Sequence, residues 1–385
     1  MESSTVKVAT RVAGALVVLA VLGACSSSAK TSPSAATSAT SVASAAASEV
    51  GGAAPAGNLE GKIGLLLPNT QAPRYEGADR PYFESKVKEL CPNCTVLYAN
   101  ANADAAKQQQ QAESMLSQGV KVLALDATDT QAAAGIVAEA KAKNVPVISY
   151  ARLINSAGLA YFSSSDDDKV GGLQAQSLLD KLQSNGVKPG DGGILMINGD
   201  ATDSAAVLFK TGAHKVIDSS GYQVLAEFDN WDPTKVQDWV ASQVTRFGSK
   251  IKGIYSANDG NAGAAVAALK GAGVSVMPPI TGLDSDVDAL QRIVMGTQYM
   301  TVYSPIRPMA DKAAEVAVSL IKGETPTGDT TVTTPSGASV PASLVEPVPV
   351  TAGNIETTIV KDGFHTVAEI CTTVYADACA KAGLK

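Results

Sequence analysis

The sequence predicts an α/β protein made of two doubly wound domains. Three observations predict it. Short strands are apolar along their whole length. Helical stretches of roughly ten to fifteen residues alternate with them, the pattern of a parallel sheet covered by helices on both faces. The chain, 385 residues long, exceeds what one core of ordinary size fills.

The elements follow in order. The fold begins at Lys62, where Ile63-Gly64-Leu65-Leu66-Leu67 reads as a buried strand ended by Pro68. Phe83, Val87 and Leu90 recur at helical spacing over Tyr82 to Leu90. Thr95 to Tyr98 is a strand, and Asp104 caps a helix reaching about Ser117. The strand Lys121 to Leu125 ends at Asp126, the helix Ala132 to Lys143 follows, and Val145 to Tyr150 is the next strand. The alternation then repeats: strand Ala160–Ser163, helix Val170–Leu182, strand Gly193–Ile197, helix Ala205–Ser219, strand Val224–Phe228, helix Thr234–Phe247, strand Ile251–Tyr255 and helix Ala262–Gly271. Ile280-Thr281-Gly282 leads to Asp284, Val287 to Met295 is helical, Tyr299 to Tyr303 is a strand, and a helix runs from about Pro308 to Lys322. Thr330 to Thr358, rich in Pro, Thr and Val without helical period, reads as edge strands or a crossing segment.

In open parallel sheets ligands sit outside the carboxyl ends of the strands. Arg74-Tyr75, Arg152, Trp231, Asn258-Asp259 and Asp284 all follow strands. Trp231 is one of two tryptophans and lies in the polar turn Asp229-Asn230-Trp231-Asp232-Pro233. The other, Trp239, falls between Val236 and Val240 in a helical pattern and reads as core. Aromatic faces beside forked donors, an amide and a carboxylate suit one small neutral polyhydroxyl molecule, such as a sugar.

Composition excludes other classes. The net charge of −7 offers no basic stripe for nucleic acid. No G-x-x-x-x-G-K-[ST], no G-x-G-x-x-G after a strand and no G-x-S-x-G occurs. The two histidines, His214 and His365, are far apart and read as structural or surface residues. The run Asp284-Ser285-Asp286-Val287-Asp288 lacks the glycine and the terminal Glu of a calcium loop. No metal and no cofactor is expected.

Lys7 and Arg11 precede the apolar run Val12 to Leu22, too short to span a bilayer as a mature helix and typical of an export signal. It ends in Leu22-Gly23-Ala24-Cys25, which resembles the bacterial lipoprotein box and implies cleavage before Cys25 and its lipidation. Ser26 to Asn58 has too few large apolar residues to fold and reads as a tether. Four cysteines remain: Cys91, Cys94, Cys371 and Cys379. An even count in an exported chain suggests two disulfides. Three pairings are possible, of which the local ones, Cys91–Cys94 and Cys371–Cys379, are favoured because each brackets a short turn-like segment.

Several segments together resemble the D-xylose-binding branch of the ribose/galactose-binding-like solute-binding proteins of ABC importers. They are Arg74-Tyr75 with Asp79-Arg80 and Phe83, Ser149 to Asn155, Asp229 to Pro233, Ser256-Ala257-Asn258-Asp259, Gly296 to Pro305, and Ile359 to His365. The likeness spans roughly Lys62 to His365.

It implies the type I periplasmic binding-protein fold, two Rossmann-like lobes joined by a multi-strand hinge with the ligand between them. A signal peptide (1–25) and tether (26–58) precede a first lobe of 59–164 plus 306–346 and a second of 165–305 plus 347–385. Crossings fall near Ser164-Ser165, Tyr303 to Pro305 and Pro347 to Val350.

The resemblance further implies that Tyr75 and Trp231 sandwich the sugar ring. Arg74 and Arg152 donate to it, with Arg80 as an alternative to Arg74, and Asn258 and Asp284 bind hydroxyls. Ser204 and Ser304 stand at two further ligand positions, but the pattern has departed: Ala151 replaces an Asp, Ser204-Ala205 replaces paired Asn, and Ser304 replaces a Lys. The implied partners are a monosaccharide, D-xylose or a similar aldopentose first, and a membrane permease, with the protein monomeric and held to the outer face of the membrane only by its lipid. Another monosaccharide, a polyol, or a sensory rather than an import role are the alternatives. A glycosidase using Asp259 and Asp284 is the enzymatic alternative, and it lacks a pKa-tuning partner.

Overall fold

The computed structural model describes residues 59–384; the signal peptide, Cys25 and the tether lie outside the described residues. The chain runs β1 (Glu60–Leu67), α1 (Arg80–Leu90), β2 (Asn93–Asn100), α2 (Ala105–Ser117), β3 (Val122–Leu125), α3 (Ala134–Ala142), β4 (Val147–Tyr150) and β5 (Leu159–Ser165). It continues with α4 (Asp167–Ser184), β6 (Gly193–Asn198), α5 (Ser204–Ile217), β7 (Gln223–Asp229), α6 (Pro233–Phe247), β8 (Ile251–Ser256), α7 (Asp259–Gly271) and α8 (Val287–Val294). It ends with β9 (Thr301–Tyr303), α9 (Ile306–Ile321), β10 (Thr330–Thr333), β11 (Ser339–Val345), β12 (Val348–Val350), α10 (Val367–Ile370) and α11 (Ala376–Lys381).

The first sheet has the order β10-β11-β5-β4-β3-β1-β2, parallel throughout except for β10, which lies antiparallel on β11. Its central strands are buried along their length because helices cover both faces. Leu65 and Ile148 pack toward α1 and α9, and Leu66, Leu123 and Leu125 toward α2 and α3. A second sheet, β7-β6-β8, is parallel as well. It is prolonged by single bridges, Ile254 with Ile280 and Leu283 with Val302, to the antiparallel pair β9–β12. The apolar segment before Asp284 therefore pairs only through these bridges.

Three segments link the two lobes built on these sheets. β5 belongs to the first sheet, and α4 after it packs under β8. α9 leaves β9 to cover the first sheet. β11 ends in the first sheet, and β12 joins β9 in the second.

Side-chain caps start the helices that border the space between the lobes. Asp203 accepts from the Ala205 amide (2.9 Å), Asp232 from Thr234 (2.9 Å) with Pro233 in the first turn, and Asn258 from Asn261 (2.9 Å). α4 and α5 touch backbone to backbone. A Cβ on Gly171 would lie 1.9 Å from the Phe209 carbonyl oxygen, and one on Gly212 would lie 1.9 Å from that of Asp168. Glycine at both positions is what lets α5 sit close enough to present Ala205 and Phe209 between the lobes.

Cys91 is bonded to Cys94, closing the turn between α1 and β2, and Cys371 to Cys379 between α10 and α11. The tail differs from its extended reading in one place. Glu356–Val360 coils into a helical turn because Ile355 and Ile359 are both drawn into the C-terminal core. Trp239 is half-buried and stacks on Phe228 with ring centroids 5.3 Å apart.

Candidate functional site

A cavity of about 70 Å³ lies between the carboxyl ends of the two sheets. Its size suits one small molecule and not an oligosaccharide. Arg74, Tyr75, Ala151 and Arg152 line it from the first lobe; Trp231, Asn258 and Asp284 line it from the second, with Ser304 at a crossing.

Ser204 does not line it, and this corrects the sequence expectation. Asp203 before it and Ala205 after it do so instead. Side chains turn by about 100° per residue on a helix, so the first residue of α5 is carried off the wall that its neighbours form. Arg80 is also away from the cavity. It is half-buried, pairs with Glu76 and Glu84, and its guanidinium carbon lies 3.9 Å from the Tyr98 ring centroid.

Each arginine is held by two carboxylates. Arg74 forms a fork with Asp79, Nε to Oδ2 at 2.9 Å and Nη2 to Oδ1 at 2.8 Å, and reaches Asp284 of the other lobe at 3.4 Å. Arg152 donates through Nη1 to the Ala127 carbonyl (2.8 Å) and through Nη2 to the Tyr75 hydroxyl (3.4 Å). Its Nε lies 2.8 Å from Asp203 of the other lobe and 3.5 Å from Asp126 of its own. Burial alone would lower the pKa of both guanidiniums, but the carboxylates more than offset it and hold both charged. Burial raises the Asp284 carboxyl above its ordinary range, with Arg74 pulling against it.

Trp231 lies flat over Gly199, where a Cβ would be 2.0 Å from the indole Cζ2. Its Nε1 donates to Asp203 Oδ2 (3.0 Å). One carboxylate thus caps α5, orients the indole and pairs with Arg152 across the lobes. The Asn258 carbonyl oxygen is committed to its cap, so the side chain offers its amide nitrogen to a ligand. Ser304 is 5% exposed and its Oγ has no hydrogen-bond partner in the protein.

Two lining residues sit in backbone conformations that non-glycine residues rarely adopt: Ala151 at φ +55° and Asp284 at φ +97°. Such strain persists where the surroundings over-determine it, and it collects at functional sites. Asp284 is fixed by its amide on the Val302 carbonyl (3.1 Å).

Sequence reasoning missed Asp126, Asp167, Phe209, Asp286 and the role of Asp203. Asp167 and Asp286 line the cavity, and burial pushes them up to about 8 and about 9. Their signal was position, each being an acid at a helix start just after a crossing or a bridge. Asp259, the second carboxylate of the enzymatic alternative, faces away. Its oxygens accept from Gln298 Nε2 (2.7 Å), Thr301 Oγ1 (2.9 Å) and the Asp286 amide (3.1 Å), and it does not line the cavity. Among the described residues no His/Cys/Asp/Glu cluster has metal-binding geometry, and no helix is long and apolar enough to cross a membrane.

Residues 63–325 match the family described as the periplasmic binding protein domain. The D-xylose-binding periplasmic protein of Escherichia coli K12 is 35% identical over 317 residues, covering 81% of this chain and 93% of that protein. A multiple sugar-binding periplasmic receptor of Rhizobium radiobacter is 31% identical over 284 residues, covering 68% of this chain and 79% of that protein. A solute-binding protein of Clostridium phytofermentans, solved with bound β-D-glucose, superposes with a TM-score of 0.73 at 25% identity, covering 80% of this chain and 99% of that one.

Proposed function

The chain belongs to the periplasmic binding protein domain family, and on that premise we propose that it is the sugar-binding component of an ABC importer, exported and not an enzyme. The observation that carries this reading is the pairing of two aromatic rings, Tyr75 and Trp231, with two arginines that are already neutralised by carboxylates. Aromatic faces suit the C–H face of a sugar, and alternating guanidinium and carboxylate groups suit hydroxyls, each of which donates and accepts. Neither arginine has charge to spare for a phosphate or sugar acid, so the ligand is neutral.

The ligand is one monosaccharide, with D-xylose or a similar aldopentose first. The xylose-binding relatives and the size of the cavity support this. Ala151, Ala205 and Ser304 line the cavity where the resemblance carries Asp, Asn and Lys, so the hydroxyls contacted differ from the xylose pattern. Another monosaccharide or a polyol is therefore the competing ligand.

Arg74–Asp284 and Arg152–Asp203 join the lobes, as does the Thr130 amide donating to the Thr202 carbonyl (3.0 Å). Closure about the three crossings makes these contacts around the sugar and excludes water from it. Lipidation at Cys25 would hold the protein at the outer face of the membrane beside its permease, as a monomer. Mass spectrometry of the ligand carried through gentle purification tests the reading. A neutral monosaccharide or polyol supports it, and a phosphorylated or carboxylated ligand sinks it.

A further inference from the structure

Asp126 is the buried acid that the proposed binding does not use. It follows β3, is 0% exposed, and neither carboxylate oxygen accepts a hydrogen bond. Such an orphaned carboxylate is costly and calls for a reason. Its placement is held firmly. Gln108 of α2 donates Nε2 to the Asp126 carbonyl (2.8 Å), and its Oε1 accepts the Thr128 amide (2.9 Å). This clamp fixes the loop between them, so that the Ala127 carbonyl receives Arg152 Nη1 and the Asp126 carboxylate stands 3.5 Å from Arg152 Nε. The charged groups acting on Asp126 are Arg152 at the end of β4, Asp203 at the start of α5, and Arg74 and Asp79 in the turn before α1. Of these only Asp203 belongs to the other lobe.

We infer that Asp126 is a positioning residue for sugar capture: it is the counter-ion Arg152 keeps while the lobes are apart, and it takes a proton from solvent when closure gives that arginine to Asp203. The inference rests on the proposed closure on a sugar. With the lobes apart, Arg152 has one carboxylate, and without the Asp203 charge the adjacent guanidinium holds the Asp126 pKa lower than in the closed form. With the lobes closed, the Asp203 carboxylate lies closer to the same nitrogen, at 2.8 Å. Burial together with the Asp203 charge brought by closure outweighs Arg152 and pushes Asp126 up to about 8. The closed form keeps up to about pH 8 a proton that the open form releases at lower pH, so closure is favoured at low pH and loses ground as pH rises toward about 8.

The test is calorimetric titration of the protein with D-xylose, D-glucose and xylitol at about pH 6, the tightest binder then being repeated in two buffers of different ionisation heat. The expected result is net proton uptake on sugar binding, Asp126 contributing up to one proton beside the cavity-lining Asp167 and Asp286, with affinity weakening as pH rises toward about 8. Asp126→Asn should bind the sugar with that proton lost and the pH dependence flattened, which a merely structural role would not produce. Should that variant not fold, Asp203→Asn serves: Arg152 then keeps Asp126 as its counter-ion in the closed form, and proton uptake falls. Sugar binding with identical heats in both buffers, or Asp126→Asn taking up as many protons as wild type, overturns the inference and leaves the sugar reading intact. Binding of none of the three, nor of any other pentose, hexose or polyol titrated in their place, sinks the sugar reading, and the inference with it.

Discussion

Gly199→Ala changes a residue that does not line the cavity, and it is predicted to weaken sugar binding severely. A Cβ at this position would stand 2.0, 2.2 and 2.6 Å from three atoms of the Trp231 indole. Carbon atoms rest about 3.5 Å apart, so the ring must withdraw by about 1.5 Å. The 3.0 Å bond from its Nε1 to Asp203 does not survive such a shift. A hydrogen bond to a charged acceptor contributes about 1.5–3 kcal/mol, and an aromatic contact of the kind the sugar would lose about 0.5–1.5 kcal/mol. A combined loss of about 2–4 kcal/mol raises Kd about 30- to 1,000-fold. Calorimetry with the tightest-binding sugar measures it, and thermal unfolding separates it from misfolding. Gly135→Ala is the control: only a Gln109 side-chain oxygen comes within 4 Å, at 3.8 Å. That variant should bind normally and gain up to about 1 kcal/mol of stability. A Gly199→Ala protein with wild-type Kd would refute the idea that the indole, seated by this glycine, is a wall of the site.

Three other outcomes are expected. Burial first, then Asp259, Asp284 and Asp288, hold the Asp286 carboxyl up to about 9. A raised native pKa means the folded form keeps a proton the unfolded form loses, so this group lowers stability progressively from about pH 4 to pH 9. Asp286→Asn should therefore melt increasingly above wild type as pH rises from 6 to 9 in scanning calorimetry; a gap independent of pH would contradict this. Replacing Cys371 and Cys379 by Ala opens a loop with a sequence separation of 8. Denaturant unfolding should show a loss of about 2.5 kcal/mol, with sugar affinity unchanged because neither residue lines the cavity. Ala151→Asp puts a third carboxylate beside Arg152 at a φ that Asp tolerates. It should change the ratio of D-xylose to D-glucose affinity by about tenfold or more, and an unchanged ratio would show that this wall does not select the sugar.

Much of the architecture was legible because it rests on local physics. Ile63 to Leu67 and Gly193 to Ile197 could be buried along their whole length only inside a parallel sheet, and both are central strands. Polar residues just past strand ends converge by topology, so Arg74, Tyr75, Arg152, Trp231, Asn258 and Asp284 meet at one cavity. What could not be read depends on packing between distant residues. Gly199 looks like a turn glycine until the indole of Trp231 is seen lying on it. Asp126 looks like the polar end of a strand until Gln108 and Arg152 enclose it. Ser204 looks equivalent to its neighbours until the helix sets its side chain off the wall. The left-handed backbone at Ala151 and Asp284 carries no signature in residues that are not glycine.

The central claim is that the lobes close on one neutral monosaccharide held between Tyr75 and Trp231. The most direct measurement is calorimetric titration of wild type and Trp231→Ala with pentoses, hexoses and polyols, with their phosphorylated and carboxylated analogues alongside. One-to-one binding of a neutral monosaccharide or polyol is expected, with no binding of the anionic analogues and loss of affinity in the variant. Preference for an anionic analogue, or equal binding by Trp231→Ala, would contradict the claim.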